Sequence, residues 1–133
     1  MVNMKQIVQV KQKNITENIE QILFNDVVEI NNHKNNIVFT YHERKPFNGV
    51  VTIEANMKGC TIKRIAENTT TLNLIENKKT KGIVESPYGT FDVDVFTKKY
   101  FIKDELIALE YDILNMNEIA DSFRLMIKFK KIN

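Results

Sequence analysis

The stretch Gly82–Asn115, GIVESPYGTFDVDVFTKKYFIKDELIALEYDILN, decides the fold. Its segment Ser86-Pro87-Tyr88-Gly89 has the composition of a turn. After the turn, apolar residues alternate with polar ones: Phe91, Val93 and Val95 against Thr90, Asp92 and Asp94. A second run alternates in the same way: Ile107, Leu109, Tyr111 and Ile113 against Ala108, Glu110 and Asp112. A period of two predicts strands with one buried face, and two such runs in succession predict an antiparallel hairpin.

The rest of the chain shows the same pattern with varying strength. Alternation is clear in 50–57, 60–66 and 123–129, and weaker in 7–13, 19–30, 37–43 and 68–75. Residues 115–121 are expected to form a loop before the last strand. About eight to ten strands at roughly 12-residue spacing, without a convincing amphipathic helix, indicate an all-β antiparallel barrel or sandwich. We favour an up-and-down barrel, because closure removes the exposed edges of the sheet.

Composition excludes several classes of protein. The chain has 133 residues, 43% hydrophobic and 27% charged, which predicts one ordinary globular domain over 1–133. Its 19 basic and 17 acidic side chains leave a formal net charge of +2. That charge is too small to indicate a nucleic-acid or membrane partner by itself.

The cysteine content and the apolar runs indicate the compartment. Cys60 is the single cysteine, so neither an internal disulfide nor a cysteine-based metal cage can form. The N-terminal residues lack the apolar core of a signal peptide, and no apolar run approaches the roughly 20 residues of a membrane-spanning helix. We therefore expect a cytoplasmic protein that does not associate with a membrane.

A set of residues spread along the chain carries a resemblance to a known family: Tyr41-His42-Glu43, Thr52, Arg64, Ser86-Pro87-Tyr88-Gly89, Thr97 and Tyr111. In this order and spacing they resemble the YwiB-like family of uncharacterised bacterial proteins, which are lipocalin-like (calycin) β-barrels with a domain of unknown function. The turn followed by a strand and its threonine is the most specific part. The resemblance covers nearly the whole chain and implies a lipocalin-like barrel without an established activity.

Alternation also predicts a polar site inside the barrel. Arg64 lies on the same strand face as Ile62 and Ala66, and Glu43 lies at the inner rim beyond Tyr41. An inward guanidinium needs an anionic partner or water, because it cannot lose its charge. We expect Arg64 to pair with Glu43, with hydroxyl groups supplied around them by Tyr41, Tyr88 and Tyr111.

Two interpretations of this cluster remain open. In the first, its polar groups satisfy one another and close one end of the barrel. In the second, the cluster lines a pocket in which Arg64 meets the carboxylate or phosphate of a small anionic ligand.

No pattern in the sequence indicates an enzyme, a metal site or a cofactor. His33 and His42 are the only histidines, and their spacing fits neither a metal site nor a charge relay with Cys60. Cys60 stands beside a glycine turn and is interpreted as a packing residue. The four glycines are isolated and form no phosphate-binding loop.

The outer face offers two alternative functions. Arg124 and the lysines 98, 99, 103, 128, 130 and 131 would form a basic stripe for nucleic acid, unless Glu110 and Asp112 on a neighbouring strand neutralise it. Phe96, Leu106 and Met126 are expected to face outward, as in a homodimer surface. The favoured prediction is a barrel that binds a small molecule without catalysis; the alternative is a protein-interaction or weak nucleic-acid-binding module.

Overall fold

The structure, a computed structural model, describes residues 2–132, with side chains from Met4 onward. Met1 and Asn133, the limits of the predicted domain, lie outside the described residues. The described part contains ten strands: β1 Val2–Asn14, β2 Ile19–His33, β3 Asn36–His42, β4 Val50–Asn56, β5 Gly59–Ile65, β6 Thr69–Leu74, β7 Lys79–Ser86, β8 Gly89–Lys103, β9 Leu106–Asn115 and β10 Glu118–Lys131.

The strands form a closed antiparallel barrel, as the alternation predicts. Each strand pairs with the strands before and after it in the chain, and β10 returns to pair with β1. All elements of regular structure in residues 2–132 are strands. The barrel has two ends. The end that we call the Arg64 end carries the connections β1–β2, β3–β4, β5–β6, β7–β8 and β9–β10. The other, which we call the terminal end, carries the remaining connections, the start of β1 and the end of β10.

The barrel wall is incomplete between β2 and β3. Ladder pairing there is confined to Asn31–His33 with Asn36–Val38. Nearer the Arg64 end, the amide of Arg44 donates to the carbonyl oxygen of Leu23 at 2.8 Å. In the interval between these contacts the rings of Phe24 and Tyr41 pack with centroids 5.2 Å apart. Side-chain packing therefore closes the barrel where backbone pairing does not.

The predicted hairpin is formed by β8 and β9. Val95, Ile107, Leu109 and Tyr111 are buried on the inner face, and Thr97 continues that face with no exposed surface. Phe91 follows the inward alternation, but it is 51% exposed because it lies two residues beyond Gly89, at the mouth of the Arg64 end. The alternation therefore correctly predicts which side chains face inward, but how far each one is buried also depends on its position along the barrel axis.

Residues 115–121 do not form the expected loop. Met116 and Asn117 make a two-residue turn with φ angles of 53° and 65°, and β10 begins at Glu118. Two successive positive φ angles are those of a type I′ hairpin turn. Asparagine readily adopts a positive φ angle, but a methionine in the sequence does not indicate such a turn. The sequence prediction missed the turn because no glycine is present in it.

Asp112 faces outward as predicted but is buried rather than solvated, with 4% of its surface exposed. Ser122 Oγ donates to Asp112 Oδ1 at 2.5 Å, and Lys98 Nζ lies 3.1 Å from the same oxygen. The β8–β9 register shifts between Thr97 and Lys99, beside Lys98. A cross-strand cluster at this irregularity thus shields the carboxylate from water.

The core fills the barrel between its two ends. Val8, Ile53, Ile107 and Ile127 have no exposed surface. The ring of Phe39 meets that of Phe129 edge-on, with centroids 5.5 Å apart. Within residues 2–132 there is no helix long and apolar enough to cross a membrane.

Candidate interior binding site at the Arg64 end

The Glu43–Arg64 pair predicted from the sequence is present. Arg64 is on β5 opposite Val51 of β4, and Glu43 follows the last residue of β3. Arg64 Nε donates to Glu43 Oε1 at 2.9 Å, and Nη2 lies 2.8 Å from the same oxygen. The side chain of Glu43 is 5% exposed and that of Arg64 is 37% exposed. A nearly buried carboxylate is thus neutralised by a guanidinium that reaches solvent.

The β3–β4 loop supplies further donors and acceptors to the pair. The amide of Gly49 donates to Glu43 Oε1 at 3.0 Å, and Arg64 Nη2 donates to the carbonyl oxygen of Phe47 at 3.3 Å. A Cβ atom at position 49 would lie 2.5 Å from Glu43 Oε1 and 2.7 Å from Arg64 Nε. Glycine is therefore required here because the two charged groups pack directly against its Cα atom.

A cavity of about 290 Å³ opens beside the pair. Nine of its lining residues are aliphatic or aromatic, among them Leu72, Val93 and Phe123. The other six carry polar groups: Gln12, Tyr41, Glu43, Arg64, Thr70 and Tyr111. Mostly apolar walls with a few converging polar groups are typical of small-molecule sites.

The two tyrosines of the cavity are held neutral by their surroundings. Burial raises the pKa of Tyr41, and the nearby Glu43 carboxylate raises it further. Burial also raises the pKa of Tyr111, which has 7% of its surface exposed. Because both remain protonated at neutral pH, they offer hydroxyl donors and acceptors without adding charge.

One predicted member of the site is misplaced. Tyr88 is 95% exposed and does not line the cavity. It stands at the tip of the β7–β8 turn, where its amide donates to Ser86 Oγ at 3.1 Å. Turn geometry, rather than strand alternation, sets its direction, so the expectation that it surrounds Arg64 is wrong. The structure brings together Tyr41, Glu43, Arg64 and Tyr111.

Two polar residues of the cavity were missed in the sequence. Gln12 shares the inward alternation of Val8 and Val10 on β1, and Thr70 shares that of Leu72 and Leu74 on β6. Alternation along each strand therefore assigned both residues to the inner face. The pattern was not evident because both strands have few apolar residues at the Arg64 end.

Cys60 is a buried packing residue, 6% exposed, at the start of β5. Burial raises the pKa of its thiol to about 12. Because the thiolate is the reactive form, we expect an aromatic disulfide reagent to modify the native protein at least about 100-fold more slowly than the protein unfolded in urea. The measurement is the absorbance of the released thiolate; equal rates in the two states would contradict this burial.

The remaining candidates for chemistry lie outside the cavity. His33 and His42 are both exposed. Residues 2–132 contain no cluster of three or more His, Cys, Asp or Glu side chains that could hold a metal ion. A wider cleft of about 780 Å³ lies at the terminal end, between turns that carry Lys34, Lys58 and Lys103. Its charged side chains are all exposed, and its half-buried Asn36 and Asn56 hydrogen-bond to each other at 2.9 Å.

Comparison with known proteins places the chain in a family and supports the fold. The family model for Domain of unknown function (DUF1934) matches residues 2–127. The crystal structure of the ywiB protein from Bacillus subtilis is similar, with a TM-score of 0.76 and 12% sequence identity. The match covers 98% of this chain and 94% of the other. No curated protein matches the chain.

Proposed function

Because the chain belongs to the DUF1934 family, whose description assigns no activity, we propose a function from the interior site: the barrel binds a small molecule in the cavity beside Arg64 and Glu43. The observation that carries this proposal is a carboxylate with 5% exposure, paired with a guanidinium and facing a cavity of about 290 Å³. Removing an ion pair from water is costly, and an apolar pair of similar volume often closes a core as well. A ligand-binding role accounts for the charges that a purely structural role does not require.

The hydrogen bonds of the pair support the same proposal. In the described contacts, Glu43 accepts hydrogen bonds only through Oε1, and Arg64 donates only through Nε and Nη2. Glu43 Oε2 and Arg64 Nη1 therefore remain for other partners. A ligand in the cavity would meet one acceptor oxygen and one donor nitrogen there.

We propose that binding occurs without catalysis. Besides the ion pair, the ionisable side chains that line the cavity are Tyr41 and Tyr111, and Cys60 lies near the other end of β5 from Arg64. Burial raises the pKa of each of these three groups away from neutrality. A general acid or base works best with a pKa near the working pH. None of these three groups therefore suits proton transfer at neutral pH.

The outer face gives less support to the alternative, a protein-interaction or nucleic-acid-binding module. Arg124 Nε donates to Glu110 Oε1 at 2.7 Å, and Lys98 pairs with Asp112. Cross-strand pairs of this kind neutralise part of the basic stripe. Of the residues expected to form a homodimer surface, Leu106 and Met126 are diagonal neighbours, and the Arg124–Glu110 pair separates Phe96 from them.

Native mass spectrometry of the protein purified from a bacterial host tests the proposal. We expect a reproducible added mass on the order of 100–200 Da, because about ten water volumes fit the cavity. Val84 lines the cavity and Ile83 points outward from the same strand, with 41% exposure. Val84→Trp should abolish the added mass and Ile83→Trp should retain it. Equal loss, or equal retention, in the two variants would contradict an interior site.

A further inference from the structure

The charges around the cavity cancel. Among its lining residues, Glu43 and Arg64 are the only members of the Asp, Glu, Lys, Arg and His classes, and they are already paired. An anion that enters would lose its hydration without meeting a net positive charge, and it would approach the Glu43 carboxylate. The anionic ligand expected from the sequence is therefore a poor match to the assembled site.

The ion pair leaves one donor and one acceptor for a ligand, and the two lie on side chains that are paired with each other. Arg64 Nη1 can only donate, and Glu43 Oε2 can only accept. A complementary ligand group places an acceptor next to a donor, as the C=O and N–H of an amide do. A carboxylate satisfies the donor side alone and leaves Glu43 Oε2 facing another acceptor.

The remainder of the cavity specifies the rest of the molecule. Ile62, Leu72, Val93 and Phe123 supply apolar walls. The ring of Phe123 packs against that of Tyr111, with centroids 5.5 Å apart. Aromatic rings in tilted contact offer faces and edges to a further ring. The volume of about 290 Å³, near the lower end of small-molecule sites, suits a ligand of one or two rings with a small polar group.

We propose that the cavity selects an uncharged, ring-bearing amide or a molecule with an equivalent acceptor–donor edge, in preference to a carboxylate of the same shape. This inference rests on the proposed function and specifies its ligand class. The polar edge meets Arg64 Nη1 and Glu43 Oε2, and the ring lies against the apolar walls.

Benzamide and benzoate are matched probes, because they share shape and number of non-hydrogen atoms and differ in charge and in the donor. We expect benzamide to bind the wild-type protein at least about tenfold more tightly than benzoate in NMR titrations. Glu43→Gln should reverse this preference, because it leaves the guanidinium uncompensated and removes the carboxylate acceptor. Glu110→Gln makes the same change beside Arg124 on the outer face and should leave the preference unaltered.

The outcomes separate this inference from the proposed function. Benzoate binding as tightly as benzamide, or more tightly, in the wild-type cavity would overturn the ligand class and leave interior binding intact. Binding of neither probe up to the limit of solubility would overturn the ligand class, and the native mass spectra of the wild type and Val84→Trp would then decide on interior binding. If Glu43→Gln does not fold, the wild-type comparison alone decides between the two probes.

Discussion

Replacing Arg64 by methionine is expected to lower the free energy of unfolding by about 2–3 kcal/mol, since it leaves the Glu43 carboxylate buried without its counter-charge. The carboxylate is only 5% exposed, so water cannot readily take the place of the guanidinium. The loss should fall below the full cost of breaking a buried pair, because Arg64 is itself 37% exposed and the Gly49 amide still donates to Glu43. Urea unfolding followed by circular dichroism gives the value.

A double-mutant cycle separates the pair from its surroundings. Glu43→Gln removes the buried charge, so the combined variant Arg64→Met/Glu43→Gln should regain about 1 kcal/mol or more relative to Arg64→Met alone. Arg124→Met is the control, because Arg124 pairs with Glu110 on the outer face and is 45% exposed. We expect that change to cost less than about 1 kcal/mol. Equal losses at Arg64 and Arg124 would argue that Glu43 is hydrated rather than buried.

Phe39→Ala is expected to cost about 3–5 kcal/mol, the range for emptying a buried aromatic position. Phe39 is 1% exposed and packs between Phe129 and Tyr41, with ring centroids 5.5 Å and 6.2 Å away. The residual cavity is expected to collapse only partly, because the neighbouring core side chains are closely packed and held by paired strands. Chemical denaturation of the purified variants supplies the comparison.

Phe101→Ala is the matched control for Phe39→Ala. Phe101 is 45% exposed on the outer face, where Lys103 Nζ lies 5.8 Å from its ring centroid. We expect its removal to cost less than about 1 kcal/mol, since most of the ring is not enclosed. If the two substitutions were equally destabilising, the assignment of inner and outer faces on β3 and β8 would be incorrect.

Strand alternation predicted the features that depend on side-chain direction. The inward position of Arg64 followed from its parity with Ile62, and the pairing with Glu43 followed because an inward guanidinium needs an anion or water. Both residues also had to lie near the same end of the barrel. The up-and-down order of the strands ensured this, because the β3–β4 loop and the C-terminal part of β5 share the Arg64 end.

The features that alternation could not predict arise where the strand geometry is interrupted. Tyr88 is directed by a turn, and the burial of Asp112 depends on Lys98 at a register shift. Gln12 and Thr70 occupy positions that alternation assigns to the inner face. They were not recognised as inward because both side chains are polar. The cavity itself depends on how the side chains of several strands fill the barrel together, which no local pattern encodes.

Isoleucine-methyl NMR during a benzamide titration tests most directly whether the barrel holds a small molecule beside Arg64 and Glu43. Ile62 and Ile113 line the cavity, Ile107 and Ile127 are fully buried elsewhere in the core, and Ile65 is exposed. We predict saturable shifts at Ile62 and Ile113 with little change at the other three. Shifts confined to Ile65, or no saturable shift at Ile62 and Ile113, would contradict interior binding.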